Sequence, residues 1–241
     1  MATYPPNRPR SGADPGAADT AAMQTRTALS AGRPVPLGLI AFGIPTFTFG
    51  SVMAGWWPHP LVQTAALVPL FLVFGGIVQF IVAMWAYRTG ETLAATFFGA
   101  FGGLFGTLGI YALATGSVLR SGIPAQALVA TLGPMAVVAA CFCFVALFVA
   151  AGAMLPSPGL GITSLALAVS LFFISWSLFA QGDMLLMAIA GWAAVVSGAL
   201  ALLSAAAVAM GSGIARFRTF GPLGTLAAMT GRVWTQRPTT A

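Results

Sequence analysis

The chain has 241 residues, of which 59% are hydrophobic and only 6% are charged, whereas a soluble domain carries about 25% charged residues. A water-soluble protein of this length needs a polar outside, so the composition excludes a soluble globular fold and predicts an integral membrane protein whose partner is the lipid bilayer. The formal net charge of +6 is explained by arginines near the membrane surface, and no nucleic-acid binding is expected.

The two ends of the chain differ in composition from its centre. Residues 1–33 scatter Pro, Arg and Asp among Ala, Gly and Ser and contain no apolar run of the kind that a secretory signal needs. We expect a disordered N-terminal tail there, because such a composition cannot form a packed core. Residues 214–241 carry four arginines and no acidic residue, which predicts a basic C-terminal tail.

Between the tails, residues 34–213 contain six apolar stretches of about 20 residues, the length with which a helix crosses a hydrocarbon core of about 30 Å. The stretches lack the polar alternation of barrel strands, so the predicted fold class is an all-α membrane bundle of six transmembrane helices with short loops. The predicted helices are 36–56, 61–87, 92–116, 134–153, 160–180 and 184–210.

Three prolines have positional meaning in this segmentation. Pro134 begins the fourth helix, where its missing N–H is harmless, whereas Pro45 and Pro69 lie inside helices and are expected to bend them or to open gaps in their hydrogen bonding.

The arginines indicate the orientation of the bundle. With six spans both tails lie on one side, together with nine of the ten basic residues, while the other side has Arg120 alone. Positive residues accumulate on the cytoplasmic side, so both termini are predicted to be cytoplasmic in a multi-pass protein of the cell membrane.

The sequence offers little for catalysis or metal binding. Cys141 and Cys143 lie two residues apart on a helix and so on different faces, and they are expected to be buried packing thiols. The single histidine, His59, stands between two prolines in a loop, and no nucleotide-binding or nucleophile motif occurs in a credible context. We therefore expect no catalytic residue, no metal, no cofactor and no enzyme activity.

Small and neutral polar residues distinguish the second and third helices. Gly99, Gly102, Gly103 and Gly106 give small residues four positions apart, a spacing that favours close helix packing within the bundle or between subunits. The same glycines, beside phenylalanines, also leave room for a narrow passage. Gln79 needs a hydrogen-bonding partner at its depth, either another helix or a solute.

Several motifs, in a consistent order over roughly 34–224, resemble those of the YaaH/SatP-type acetate and succinate uptake transporters. Arg33-Pro-Val-Pro-Leu-Gly-Leu39 is similar to that family's asparagine-proline-alanine-proline-leucine-glycine-leucine box, and its entrance residues here are Arg33, Pro34, Pro36 and Gly38. Gly75-Gly76-Ile-Val-Gln79 is similar to its glycine-glycine-x-x-glutamine motif. Tyr87 and Gly90-Glu91-Thr92 resemble the pattern that leads into the third helix.

The resemblance implies a six-helix protomer, commonly assembled as a homohexamer, with a narrow solute path through each bundle. It implies that Phe42 and Phe101 form an apolar constriction, that the partner on the fifth helix falls at Leu167 or Ala168, and that Gln79 lies on the path. The chain departs from the family at Arg33 in place of asparagine and at Phe101 in place of tyrosine. These departures remove polar groups, so the identity of the solute is open.

The predicted spans contain no Asp, Glu, His, Lys or Arg away from their ends. A proton-coupled carrier usually keeps such a group within the membrane. We therefore hypothesise a narrow, mostly apolar pore for small monocarboxylates such as acetate in the protonated form, or for other small neutral solutes. The alternatives are a channel for an amide or urea, and a structural membrane subunit with a closed bundle.

Overall fold

The structure is a computed structural model and describes residues 34–57, 66–122 and 129–213. These ranges contain no strand and six helices that are long and apolar enough to cross a membrane, which confirms the predicted all-α transmembrane fold. The predicted tails at 1–33 and 214–241 lie outside the described residues. The helices are α1 (Val35–Met53), α2 (Ala66–Arg88), α3 (Thr92–Arg120), α4 (Leu132–Ala153), α5 (Pro158–Phe179) and α6 (Met184–Gly213).

Most helix ends lie within three residues of the prediction, and two differences have a local cause. The first helix ends at Met53 and not at 56, because Gly55 adopts a φ of 77° that a right-handed helix cannot contain. The third helix continues through Gly116 to Arg120 and stops before Gly122, whose φ is 83°. An isolated glycine inside a helix weakens it by only about 1 kcal/mol, so the helix continues past Gly116.

The helices alternate in direction and surround a central space. In the described part of the chain α1 packs along α6, α6 along α5 and α5 along α4, while α2 packs against α1 and α3. The contact between α3 and α4 is much thinner. We call the two ends of the bundle the Val35 end, where α1, α3 and α5 begin, and the Met53 end, where they finish.

Four glycines hold α1 against α6. A Cβ added at Gly50 would lie 2.7 Å from the Val195 nitrogen, and one at Gly198 would lie 2.6 Å from the Phe47 nitrogen. Gly43 and Gly191 face the opposite helix in the same way. Only glycine allows two backbones to approach so closely, so these positions fix the separation of the two helices.

A second glycine contact joins α2 to α3. A Cβ at Gly76 would lie 3.5 Å from the Cα of Gly106, and one at Gly102 would lie 3.2 Å from the Cβ of Gln79. Gly99 faces α2 as well, 3.6 Å from the Ala83 Cβ by the same measure. Gly103 is different, because nothing lies within 4 Å of the place its Cβ would take. Successive residues of an α-helix point about 100° apart, so Gly103 points away from α2 although Gly102 faces it.

The interior prolines and the two cysteines bear on local expectations, and the one for Cys141 needs correction. Helix α1 continues past Pro45, which has no N–H to donate to the preceding turn. The hydroxyls of Thr46 and Thr48 donate to the carbonyls of Phe42 and Ile44 at 2.7 and 2.8 Å. Cys141 is exposed on the outer surface and is not a buried thiol, whereas Cys143 is half-buried. The difference arises because α4 turns a broad face away from the other helices. In α2, Pro69 precedes a π-helical segment, Phe71–Val78.

Candidate functional site

A layer of phenylalanine side chains closes the middle of the bundle. The Phe42 ring of α1 meets the Phe97 and Phe101 rings of α3, with centroids 4.9 and 6.0 Å apart, in edge-to-face geometry. Phe142 of α4 lies 5.7 Å from Phe101. Phe42, Phe97 and Phe101 are completely buried. We call these four residues the aromatic layer.

A cavity of about 230 Å³ opens on the Met53 side of this layer. Its wall comes from five helices, α1, α3, α4, α5 and α6, and so it occupies the central space of the bundle. Residues that define its wall include Phe49, Phe101, Leu104, Phe105, Tyr111, Met135, Leu167, Leu171, Ile174 and Met187. We call it the Met53 cavity.

The Met53 cavity is lined almost entirely by apolar groups, and none of the described residues that line it has a formally charged side chain. The Thr46 hydroxyl donates to the Phe42 carbonyl at 2.7 Å, and the Ser170 hydroxyl donates to the Ala190 carbonyl at 2.9 Å. The Tyr111 hydroxyl lies 2.7 Å from that of Thr131. The hydrogen bonds of these groups are therefore already directed at the protein itself, and the cavity suits a small, uncharged solute.

A second cavity, of about 360 Å³, lies at the Val35 end. It is bounded by the start of α1, the α2–α3 turn, the start of α3, the end of α4 and the start of α5. Its lining residues are Val35, Gly90, Glu91, Thr92, Leu93, Ala94, Ala153, Pro156, Ser157 and Leu160. Glu91 is the charged residue among them. We call this the Val35 cavity.

Of the residues expected on a solute path, three come together. Phe42 and Phe101 meet in the aromatic layer, and Leu167 lines the Met53 cavity beside Phe101. Ala168 is one position further and lines a separate groove of α4 and α5, where its carbonyl accepts a hydrogen bond from the Cys143 thiol at 3.3 Å. Leu167, and not Ala168, therefore lines the Met53 cavity next to Phe101.

Gln79 lies elsewhere. It is completely buried where α2 meets α3, next to Gly102, and it is not among the residues that line either cavity. Neither atom of its carboxamide has a hydrogen-bond partner. Phe42 and Phe101 meet in the aromatic layer, whereas Gln79 lies at the α2–α3 contact and lines neither cavity.

The entrance motif begins at the Val35 end. Arg33 lies outside the described residues, Pro34 caps α1 and is buried, and Pro36 lies in the first turn. Gly38 supports the Phe98 ring, which occupies the space that a Cβ would need. The motif therefore brings α1 close to α3 immediately beside the Val35 cavity.

Sequence reasoning overlooked two residues of this region. Phe97 completes the aromatic layer, although the sequence contains too many phenylalanines for one to stand out. Ser164 is a buried serine of α5 without a hydrogen-bond partner. The described residues contain no group of His, Cys, Asp or Glu that could hold a metal ion.

Three curated proteins match part of the chain. Acetate permease A of Emericella nidulans is 28% identical over 93 residues, which cover 39% of this chain and 30% of that protein. The Glyoxylate pathway regulator of Yarrowia lipolytica is 36% identical over 76 residues, covering 31% and 27%. An uncharacterised protein of Methanothermobacter thermautotrophicus is 33% identical over 69 residues, covering 29% and 32%. The matched segments thus span about a third of these relatives or less.

A solved structure shares the fold over nearly its whole length. The structure of the bacterial acetate channel SatP superposes with a TM-score of 0.67 at 22% identity, covering 80% of this chain and 99% of that one. The sequence profile of the GPR1/FUN34/yaaH family matches residues 16–219, which is most of the chain. The motifs, the six-helix bundle and this match agree, and the protein belongs to the GPR1/FUN34/YaaH family.

Proposed function

We propose that the protein is a membrane channel or transporter for small monocarboxylates such as acetate, and that the solute crosses in its protonated form. Two of the similar proteins are an acetate permease and an acetate channel. The observation that carries the proposal is the pair of cavities on either side of one aromatic layer, because a solute path needs an opening toward each side of the membrane.

The chemistry of the path favours a neutral solute. A bare carboxylate loses far more hydration energy than its acid in an apolar constriction, and among the described residues no cation lines the Met53 cavity to compensate. The charged group on the Val35 cavity, Glu91, is itself an acid and repels anions. Both features favour a proton that travels with the solute over one carried by the protein.

The test is acetate flux into proteoliposomes at a fixed total concentration and a series of pH values, after subtraction of the flux into protein-free vesicles of the same lipid. We expect the flux to follow the concentration of undissociated acid. A flux that follows the anion would contradict the proposal, and passage of an amide or urea without acetate would favour the neutral-solute alternative.

A pair of variants links the flux to the aromatic layer. Phe101→Ala removes a ring from the layer, and we expect it to raise the flux several-fold. Phe144→Ala removes the same atoms from a side chain that is 72% exposed on the outer surface of α4, and we expect it to leave the flux unchanged. Equal effects of the two substitutions would argue against a path through the layer.

The location and assembly of the protein belong to the same proposal. We place the protein in the cell membrane with both tails in the cytoplasm, as the arginines indicate, and we expect a homohexamer in which each protomer has its own path.

A further inference from the structure

Helix α5 contributes to the walls of both cavities, and one of its turns lies between them. Leu167 and Leu171 line the Met53 cavity, and Leu160 lines the Val35 cavity. Residues 160, 164, 167 and 171 fall on one face of a helix, because their spacing matches its period. Ser164 therefore lies between Leu160 and Leu167 on this face of α5, although Ser164 itself is not among the residues that line either cavity.

The Ser164 side chain is completely buried, and its hydroxyl has no hydrogen-bond partner. Three other serines of the same helix each donate to a carbonyl: Ser170 to Ala190, Ser175 to Ala136 and Ser177 to Asp183, at 2.7 to 2.9 Å. Buried hydroxyls normally find such partners, so an unused one needs an explanation. The hydroxyls of Thr163 and Ser204 also have no partner, and what distinguishes Ser164 is its alignment with Leu160, Leu167 and Leu171.

We infer that the Ser164 hydroxyl forms a hydrogen bond with the solute as the solute passes between the two cavities. A hydroxyl both donates and accepts, so it matches the carbonyl and the O–H of a protonated carboxylic acid, or the two ends of a small amide. Without solute the Ser164 hydroxyl has no partner, and a solute that passes between the cavities supplies one. The inference rests on the proposed function, to which it adds a residue that selects solutes able to hydrogen-bond.

The test compares Ser164→Ala with Ser197→Ala in proteoliposomes, using acetate at low pH and acetamide as solutes. Ser164→Ala should lower the flux of both by about three- to tenfold, the factor that one ordinary hydrogen bond accounts for. Ser197 is also a completely buried serine, but its hydroxyl already donates to the Thr163 carbonyl at 2.9 Å. Its replacement should leave the flux per folded protein unchanged.

The melting temperature in detergent separates a solute-binding role from a structural one. Since the Ser164 hydroxyl stabilises no contact, Ser164→Ala should melt at the same or a higher temperature, whereas Ser197→Ala should melt lower. An unchanged flux in Ser164→Ala, or a melting temperature that falls together with its flux, overturns the inference.

The use of two solutes distinguishes a failure of the Ser164 inference from a failure of the proposed function. If the unmodified protein passes acetamide but not acetate, the proposed function fails, and the effect of Ser164→Ala on acetamide still decides the inference. If acetate passes equally well with and without the hydroxyl, the inference fails and the proposed function stands. A protein that passes neither solute overturns both.

Discussion

At the scale of single residues, polar side chains in this bundle fall into two groups. Most buried hydroxyls bond a carbonyl of their own or a neighbouring helix, as those of Thr46 and Ser170 do. The buried side chains of Gln79, Thr163, Ser164 and Ser204 have no hydrogen-bond partner. Burying an unsatisfied polar group is unfavourable by about 1–3 kcal/mol, so each of these groups needs an explanation. Ser164 shares the face of α5 that carries Leu160, Leu167 and Leu171.

Gln79 gives a prediction at this scale. Gln79→Met keeps the approximate volume of the side chain and removes both unsatisfied atoms, so we expect the variant to be more stable by about 1 kcal/mol or more. The flux should stay unchanged, since α2 lines neither cavity. Thermal unfolding in detergent and acetate flux in proteoliposomes measure the two effects. A large loss of flux in a variant that is still folded would return Gln79 to the solute path.

At the scale of helices, glycines decide which faces meet. The glycines of α3 were predicted to pack closely, and Gly102 and Gly106 do so against α2. The glycines that bring α1 onto α6 could not be recognised in the sequence, because Gly43 and Gly50 lie seven residues apart among larger residues. Their role depends on which helix lies opposite, and this is decided by packing and not by local spacing.

The two kinds of glycine give a matched pair of variants. At Gly50 a methyl group would lie 2.7 Å from the Val195 nitrogen and 2.8 Å from the Gly191 carbonyl oxygen, so Gly50→Ala must push α1 away from α6. We expect it to destabilise the bundle by about 1–3 kcal/mol. Gly103→Ala meets nothing within 4 Å and should be neutral or stabilising by up to about 1 kcal/mol. Unfolding in detergent compares the two, and equal stability would contradict the glycine contact.

At the scale of the whole molecule, the membrane-spanning fold could be predicted from the sequence because it depends on the length and polarity of each stretch. The central site could be predicted only in part. Phe42 and Phe101 were identified through family motifs, whereas the choice of Leu167 over Ala168 and the place of Ser164 depend on the rotation of α5 about its own axis. Six spans that are apolar all round contain little information about rotation.

Orientation in the membrane is the remaining property of the whole molecule, and the two ends of α3 provide its test. Thr89 lies exposed in the turn before α3 at the Val35 end, and Ser121 lies exposed after it at the Met53 end. In a background with Cys141→Ala and Cys143→Ala, we expect a membrane-impermeant maleimide to label Ser121→Cys in intact cells. Thr89→Cys should react only after the membrane is permeabilised. We expect this pattern because Arg88 lies at the same end as the start of α1, and cytoplasmic ends accumulate arginine. The reverse pattern would place the tails outside the cell.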